Sequence, residues 1–250
     1  MLTSTFIHAQ GIGEKTEKSI WQAGILTWEQ FLTSHDACRL SARQRSLLLP
    51  IVEESVTRLR ANDYSYFASI LPSSEQWRAF REFGDKAAYL DIETLGMGAD
   101  DAITVIGVYD GENVKSYIKG HNMEQFLEDI ERYHLLVTYA GAMFDLPHIR
   151  RAFPGHRFDQ IHIDLCPALR RIGLKGGLKG IEKSVGLERP SEIAGMDGWA
   201  AVRLWREYEW GSKESLDLLV KYNAYDVINL KPLAERAYEG LRTVAFGLAL

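Results

Sequence analysis

The stretch that decides the fold is AAYLDIET, residues 87–94. It is apolar apart from two acids and a terminal threonine, and it reads as a buried β-strand. Side chains at i and i+2 of a strand point to the same face of a sheet. Asp91 and Glu93 therefore stand side by side, and Ile92 faces the opposite side, into the core. Acids in apolar surroundings are costly to bury unless something cationic neutralises them. Two of them on one face at a strand end form a chelate for Mg²⁺ or Mn²⁺, which take oxygen ligands. Taken alone, the motif also reads as a solvated strand end.

Outward from this strand the texture alternates. AITVIGVYD (102–110) and GENVKSYIKG (111–120) predict two more strands joined by a short turn. MEQFLEDIERY (123–133) carries Phe126, Leu127, Ile130 and Tyr133 at helical spacing. LLVTYAG (135–141) is a fourth strand, FDLPHIRRAF (144–153) opens a helix, and QIHIDL (160–165) is a fifth strand. The remainder is mostly helical, with Pro232 expected to bend the last long helix. Three strands in succession, then strands alternating with helices, give an α/β fold with a mixed sheet flanked by helices.

Residues 1–84 predict a small all-α module ahead of an α/β domain over 85–240. Gly11 and Gly13 flank Ile12 at a tight turn, and a helix follows with Ile20 and Trp21 on its apolar side. Gly24 supplies a stop, and Thr27 an N-cap for the next helix. Residues 41–61 form an amphipathic helix that Pro50 should kink or break, and residues 63–86 read as a short linker helix ending near Gly84.

Composition narrows the setting. The 250 residues are 46% hydrophobic and 25% charged, ordinary for a globular protein. No apolar run reaches the roughly 18 residues of a membrane span, so no membrane partner is expected. The first residues lack the basic start and long apolar core of a secretory signal. Cys38 and Cys166 make neither a disulfide framework nor a CxxC metal site, which fits a reducing cytoplasm. A net charge of −5 excludes an all-over basic coat but not a local basic stripe that steers phosphates.

Two further acids complete a set. Asp145 follows LLVTYAGAMF at the start of a helix, where the helix dipole alone would favour it. Asp226 lies in LLVKYNAYDVINL, one helical turn after Tyr222. Val220, Asn223, Val227 and Leu230 share one face of that helix by spacing, and Tyr222 and Asp226 share an adjacent one. The motifs bring no matching Lys or Arg of their own. Four carboxylates on rigid elements, with one group to orient water, suit two metal ions clamping the attacking and leaving oxygens of a phosphoryl displacement.

The succession DIET, YAGAMFD and YNAYD resembles the three exonuclease motifs of the DEDD superfamily of 3′–5′ exonucleases, on the RNase H-like fold. Tyrosine at position 222 and lysine at 221 resemble the tyrosine subgroup, which includes the proofreading domains of B-family DNA polymerases. YLDIET, FDLPHI, HIDL and RRIGLKGGLKGIE look most like a bacterial branch of stand-alone RNase H-like proteins, and the resemblance covers roughly residues 86–237. It implies that Asp91, Glu93 and Asp226 hold the ion that activates water. Asp91 and, partly through water, Asp145 would hold a second ion at the leaving oxygen. Tyr222 would hydrogen-bond the water as a positioner, since a phenol pKa near 10 is too high for a base. The backbone at Thr94 and Leu95 would touch the terminal nucleotide. The family's second motif usually carries Asn five residues before its Asp; here Ala140 stands there and offers no such hydrogen bonds. Asp164 in HIDL is a spare acid, either supporting the site or standing as a sheet-edge or helix-cap residue.

RRIGLKGGLKGIEK (170–183) places Arg170, Arg171, Lys175, Lys179 and Lys183 against a single acid, Glu182. If helical, Lys175, Lys179 and Lys183 form one basic stripe, either gripping phosphates or simply solvated. Residues 6–32 resemble a helix-hairpin-helix, which implies a phosphate contact at the Gly11–Gly13 turn. Trp199, Trp205, Trp210 and Tyr208 read as core or inter-domain packing rather than base-stacking platforms. Together these features lead to an expectation: a cytoplasmic 3′–5′ exonuclease using two divalent cations, Mg²⁺ or Mn²⁺, on a single-stranded 3′ end of DNA or RNA. The rival readings are a nucleic-acid-binding scaffold on a nuclease fold and an RNase H-like endonuclease.

Overall fold

The computed structural model describes residues 1–96, 98 and 102–247. Its organising strand is β1, Ala87–Thr94. β2 (Ile103–Tyr109) pairs with it antiparallel, and β3 (Val114–Ile118) pairs antiparallel with β2. Beyond these come β4 (Leu135–Thr138) and β5 (Ile161–Asp164), in parallel pairings β1–β4 and β4–β5. Among the described residues the sheet order is β3-β2-β1-β4-β5. All five strands match the apolar runs read from the sequence.

The period-2 alternation of β1 sorts its side chains between two packing layers. Ala88, Leu90 and Ile92 join a cluster with Phe126, Ile130, Leu146 and Ile149. Those residues come from α6 (Gln125–Ile130) and α7 (Asp145–Ala152). Ala87 and Tyr89 face the other way, into the cluster that holds Leu230, Leu233 and Ala237. That layer is built on α11, Lys213–Phe246, together with α8 (Leu165–Arg171) and α9 (Leu178–Ser184). Between α9 and α11 lies α10, Gly198–Glu209, packed against α11 through Ala201 and Trp205.

The N-terminal helices are α1 (Glu14–Gln22), α2 (Trp28–Ser34), α3 (Ala42–Arg60), α4 (Tyr64–Ile70) and α5 (Phe80–Phe83). Their buried side chains, including Phe6, Trp28, Phe31, Leu48 and Phe67, belong to the same cluster as Ala87, Leu135 and Ile161 of the sheet. Residues 63–86 are not a single linker helix: α4 is followed by a 3₁₀ segment, Ser73–Ala79, then α5. Phe67, Leu71, Trp77 and Phe83 are buried there, so the segment is core. Arg78 anchors it, donating to both oxygens of Glu17 at 2.8 and 2.9 Å and to Glu75 at 2.7 Å, all three nearly fully buried. The two internal prolines end nothing. α3 continues through Pro50 and α11 through Pro232, because a proline forfeits one hydrogen bond and buried residues on either side hold each half in place.

Candidate active site

β1 outruns its parallel neighbour. The β1–β4 pairing ends at Tyr89–Val137, so Asp91 and Glu93 project past the end of β4. Their carboxylate oxygens and one of Asp226 all lie within 4.8 Å of one another. They open onto a cleft of about 530 Å³, also lined by Thr94, Tyr139, Lys179, Val202 and Tyr222. Three hard oxygen donors this close fit a divalent cation, so the donor chemistry matches the ion expected from the sequence.

α11 supplies the other side of the cluster. Tyr222, Asn223 and Asp226 sit on the turn of α11 that crosses β1 and β2. Asn223, fully buried, donates from Nδ2 to Asp91 Oδ2 at 2.9 Å. This approach is possible because Asp91 pairs with Gly107 on β2. A Cβ at Gly107 would meet Asn223 Oδ1 at 2.0 Å, far inside contact distance. The sequence reading placed Asn223 on an apolar stripe and gave it no role; a buried amide in such a stripe was the available signal.

Asp145 begins α7 and is buried, and its Oδ1 accepts the Ile92 backbone N–H at 3.2 Å. It stands beside the trio rather than within its 4.8 Å span. Burial pushes its carboxyl up to about 7, against the pull of its backbone hydrogen bonds. Burial, then the negative charges of Asp226, Asp145 and Glu93, hold Asp91 well above the ordinary carboxylate range. Glu93 is raised for the same reasons, burial first and then Asp226.

The sequence motifs contained no cation for these acids, but among the described residues the folded site has two, both from residues between the second and third motifs. Arg189 Nη2 donates to Asp226 Oδ1 at 2.6 Å. The same guanidinium holds Glu182 with two bonds of 2.6 and 2.7 Å, and Asn229 Nδ2 donates to Glu182 at 3.1 Å. Lys179 Nζ donates to Tyr222 Oη at 2.7 Å and to the Met196 carbonyl. Glu182 and Arg189 both face inward, but Arg189 lies beyond the end of α9 at Ser184, so no helical spacing links the two in the sequence.

The remaining expected contacts are scattered. Lys175 precedes α9, so it does not continue a helical stripe with Lys179 and Lys183. Glycines 176 and 177 interrupt the helix first. Arg171 donates to the Ser74 carbonyl at 2.7 Å and pairs with Glu75 at 2.9 Å, tying α8 to the N-terminal helices. Arg170 is exposed. Thr94 lines the cleft, whereas Leu95 packs against the cluster around Trp205. Gly11 and Gly13 are exposed at the entry to α1. Asp164 caps α8 through the Cys166 N–H at 3.0 Å and accepts the N–H groups of Ala140 at 2.8 Å and Ala142 at 3.1 Å. Those bonds hold Ala140 at φ 61°, a left-handed conformation that asparagine tolerates better than alanine. Of the tryptophans, Trp205 is core, but Trp199 and Trp210 are 57% and 87% exposed; the packing expectation fails for those two.

A family model described as "RNase_H superfamily" matches residues 88–238. The chain belongs to the RNase H superfamily. A solved structure of the family B DNA polymerase from the hyperthermophilic archaeon Pyrobaculum calidifontis is similar over 60% of this chain, at 16% identity and a TM-score of 0.49. The similar region is 24% of that polymerase chain. No curated protein matches. The acid trio lies inside the RNase H superfamily region, as do Asp145 and Tyr222. Among the described residues no helix is long and apolar enough to cross a membrane.

Proposed function

We propose that the protein is a metal-dependent 3′–5′ exonuclease of the DEDD type, tyrosine subgroup, which hydrolyses single-stranded DNA or RNA ends to nucleoside 5′-monophosphates in the cytoplasm. The observation that carries this reading is the convergence of Asp91, Glu93 and Asp226 within 4.8 Å in a cleft that also holds Tyr222. Asp91, Glu93 and Asp226 would hold one divalent cation, and Asp91 with Asp145 a second. Such ions, when bound, supply the charge that activates water and stabilises the leaving oxygen.

The chain's own residues prepare that chemistry. Burial and the neighbouring acids raise the Tyr222 phenol, which keeps it protonated. Its oxygen accepts from Lys179, so its O–H is left to donate to a water in the cleft. Tyr222 thereby orients the nucleophile without removing its proton. Asn223 fixes the rotamer of Asp91, and Arg189 fixes that of Asp226. The exposed Gly11–Gly13 turn, Arg170 and Lys175 are proposed as further phosphate contacts. Residues 1–84 and 85–240 are proposed as the nucleic-acid-gripping and catalytic parts.

A second reading, a binding protein without turnover, draws on one observation: Asp226 already carries a cationic partner in Arg189. Incubation of a 3′-labelled strand with the protein and Mn²⁺ separates the two. Stepwise release of labelled mononucleotide is expected. Binding without release under any divalent metal supports the second reading, and cleavage of a closed circular strand supports an endonuclease.

A further inference from the structure

We infer that one face of α10 is a binding track for a single nucleic-acid strand, leading out of the catalytic cleft. Trp199, Arg203, Arg206 and Trp210 are spaced by four, three and four residues, so they fall within one narrow arc of the helix surface. All four are exposed. They lie opposite the face that buries Ala201 and Trp205 in the core. The track begins at the site: Gly198 and Val202, on the adjoining arc, line the cleft with Asp91, Glu93 and Asp226. From Trp199 to Trp210 the helix rises about 16 Å, room for several nucleotides.

The chemistry selects a polyanion with flat rings. Neither guanidinium makes an ion pair with any described residue. Glu207, four residues after Arg203, is engaged by the Ser215 hydroxyl at 2.7 Å, and Glu209, three residues after Arg206, forms no ion pair with it among the described residues. Two unpaired arginines between two exposed indoles reproduce the composition of a single-strand platform, in which phosphates meet cations and bases stack on aromatic faces. The inference rests on the nuclease reading for the direction of the track but not for its existence.

The test is fluorescence anisotropy with labelled 20-mers of thymidylate and of uridylate, with the full chain in EDTA so that nothing is hydrolysed. Trp199→Ala and Trp210→Ala should each weaken binding roughly tenfold. Arg203→Ala with Arg206→Ala should lower the slope of log affinity against log salt by about 1.4. Circular dichroism should show unchanged folding, because all four side chains are exposed. In a separate assay with Mn²⁺ and no EDTA, release of p-nitrophenol from the p-nitrophenyl ester of thymidine 5′-monophosphate, which fills only the cleft, should be unaltered in the Trp210 and Arg206 variants. Wild-type affinity in all variants overturns the track, and so does failure of the wild type to bind either strand. Self-association abolished by Trp210→Ala, in a protein that binds no strand, would replace it with a protein interface. Strand binding that depends on the four residues, without any hydrolysis, would keep the track and remove the nuclease.

Discussion

Arg189 bridges Asp226 and Glu182, with its guanidinium 2.6 Å from an oxygen of each. The pair is nearly fully buried, at 5% and 2% side-chain exposure. Breaking a buried ion pair by removing one partner leaves an uncompensated charge and costs about 3–5 kcal/mol. Arg189→Gln should therefore lose stability of that order and also lower turnover, since Asp226 loses the group that orients it. Glu182→Leu with Arg189→Met should recover only part of the stability, because apolar replacement of a buried pair is often neutral but Asp226 stays buried without its cation. Turnover should stay low in the double variant. Urea unfolding and a single-turnover assay read the two effects separately; full activity in the double variant would remove Arg189 from the site.

The Asn223–Asp91 hydrogen bond depends on a missing side chain. Gly107→Ala puts a methyl carbon 2.0 Å from Asn223 Oδ1, and Asn223 is fully buried, with no space to retreat. Overpacking of this kind costs roughly 1–3 kcal/mol. Turnover should fall more than the stability loss explains, because Asp91 loses its tether. A Gly107→Ala protein with wild-type melting and rate would contradict the close approach of α11 to β2.

Ala140 is held at φ 61°, a conformation that costs an ordinary L-residue roughly 1–2 kcal/mol. Asn relaxes that strain through its local hydrogen bonding and is enriched there. Ala140→Asn should raise the midpoint of thermal unfolding, and the Asp164 bonds to Ala140 and Ala142 should keep the loop in place. An unchanged or lower midpoint would mean that the loop carries no strain at this position.

What the sequence made legible follows from period and from spacing. The strand AAYLDIET announced which of its side chains share a face, and in the fold Asp91 and Glu93 stand together as alternation requires. The i, i+4 relation of Tyr222 and Asp226 was likewise readable, and both line the cleft. Arg189, Lys179 and Asn229 were not legible as partners, because their pairing is set by how α9 and the segment after it lie across α11. No local pattern encodes that placement. The two exposed tryptophans were misread for a related reason: helical spacing fixes which residues share a face, but not whether that face meets a neighbour.

Metal should reverse the electrostatic cost of the cluster. In the absence of metal, Asp145 has a carboxyl raised to about 7, above its unfolded value near 3.9. The folded state therefore binds more protons between those values, and this contribution to stability is lost as pH rises through about 7. Metal-free protein should lose thermal stability as pH rises from about 4 to 7 and change little above that, and Asp145→Asn should flatten the loss. Millimolar Mn²⁺ should raise the unfolding midpoint at pH 8, and Asp91→Ala should abolish both that rise and hydrolysis. The same substitution should cost little stability without metal, because it removes a repelling charge. Tyr222→Phe should slow hydrolysis less than Asp91→Ala does.

Two buried histidines tilt the balance the other way in acid. Burial, with Arg78 nearby for one and Arg150 for the other, pushes His8 and His162 down to about 4. His8 Nε2 meets the Ser55 hydroxyl at 3.1 Å, and His162 Nε2 meets the Thr138 hydroxyl at 2.9 Å. Both rings are neutral in the fold, whereas the unfolded chain takes up their protons near pH 6.5. Between pH 6.5 and 4 the unfolded state binds more protons, so the histidines' share of stability is present above 6.5 and lost as pH falls toward 4. The loss amounts to up to about 3 kcal/mol for each ring. Asp145 titrates with the opposite sign across that window, so the net curve of the wild type is a poor test. The difference between wild type and His162→Gln isolates the ring together with its interaction with Asp164, because the other acids contribute equally to both. That difference should shift steadily against the wild type as pH falls from 6.5 to 4, measured by urea unfolding at each pH. A constant difference across the window would mean that His162 is protonated inside the fold, and the hydrogen bond to Thr138 would then have to be redrawn with the ring as donor.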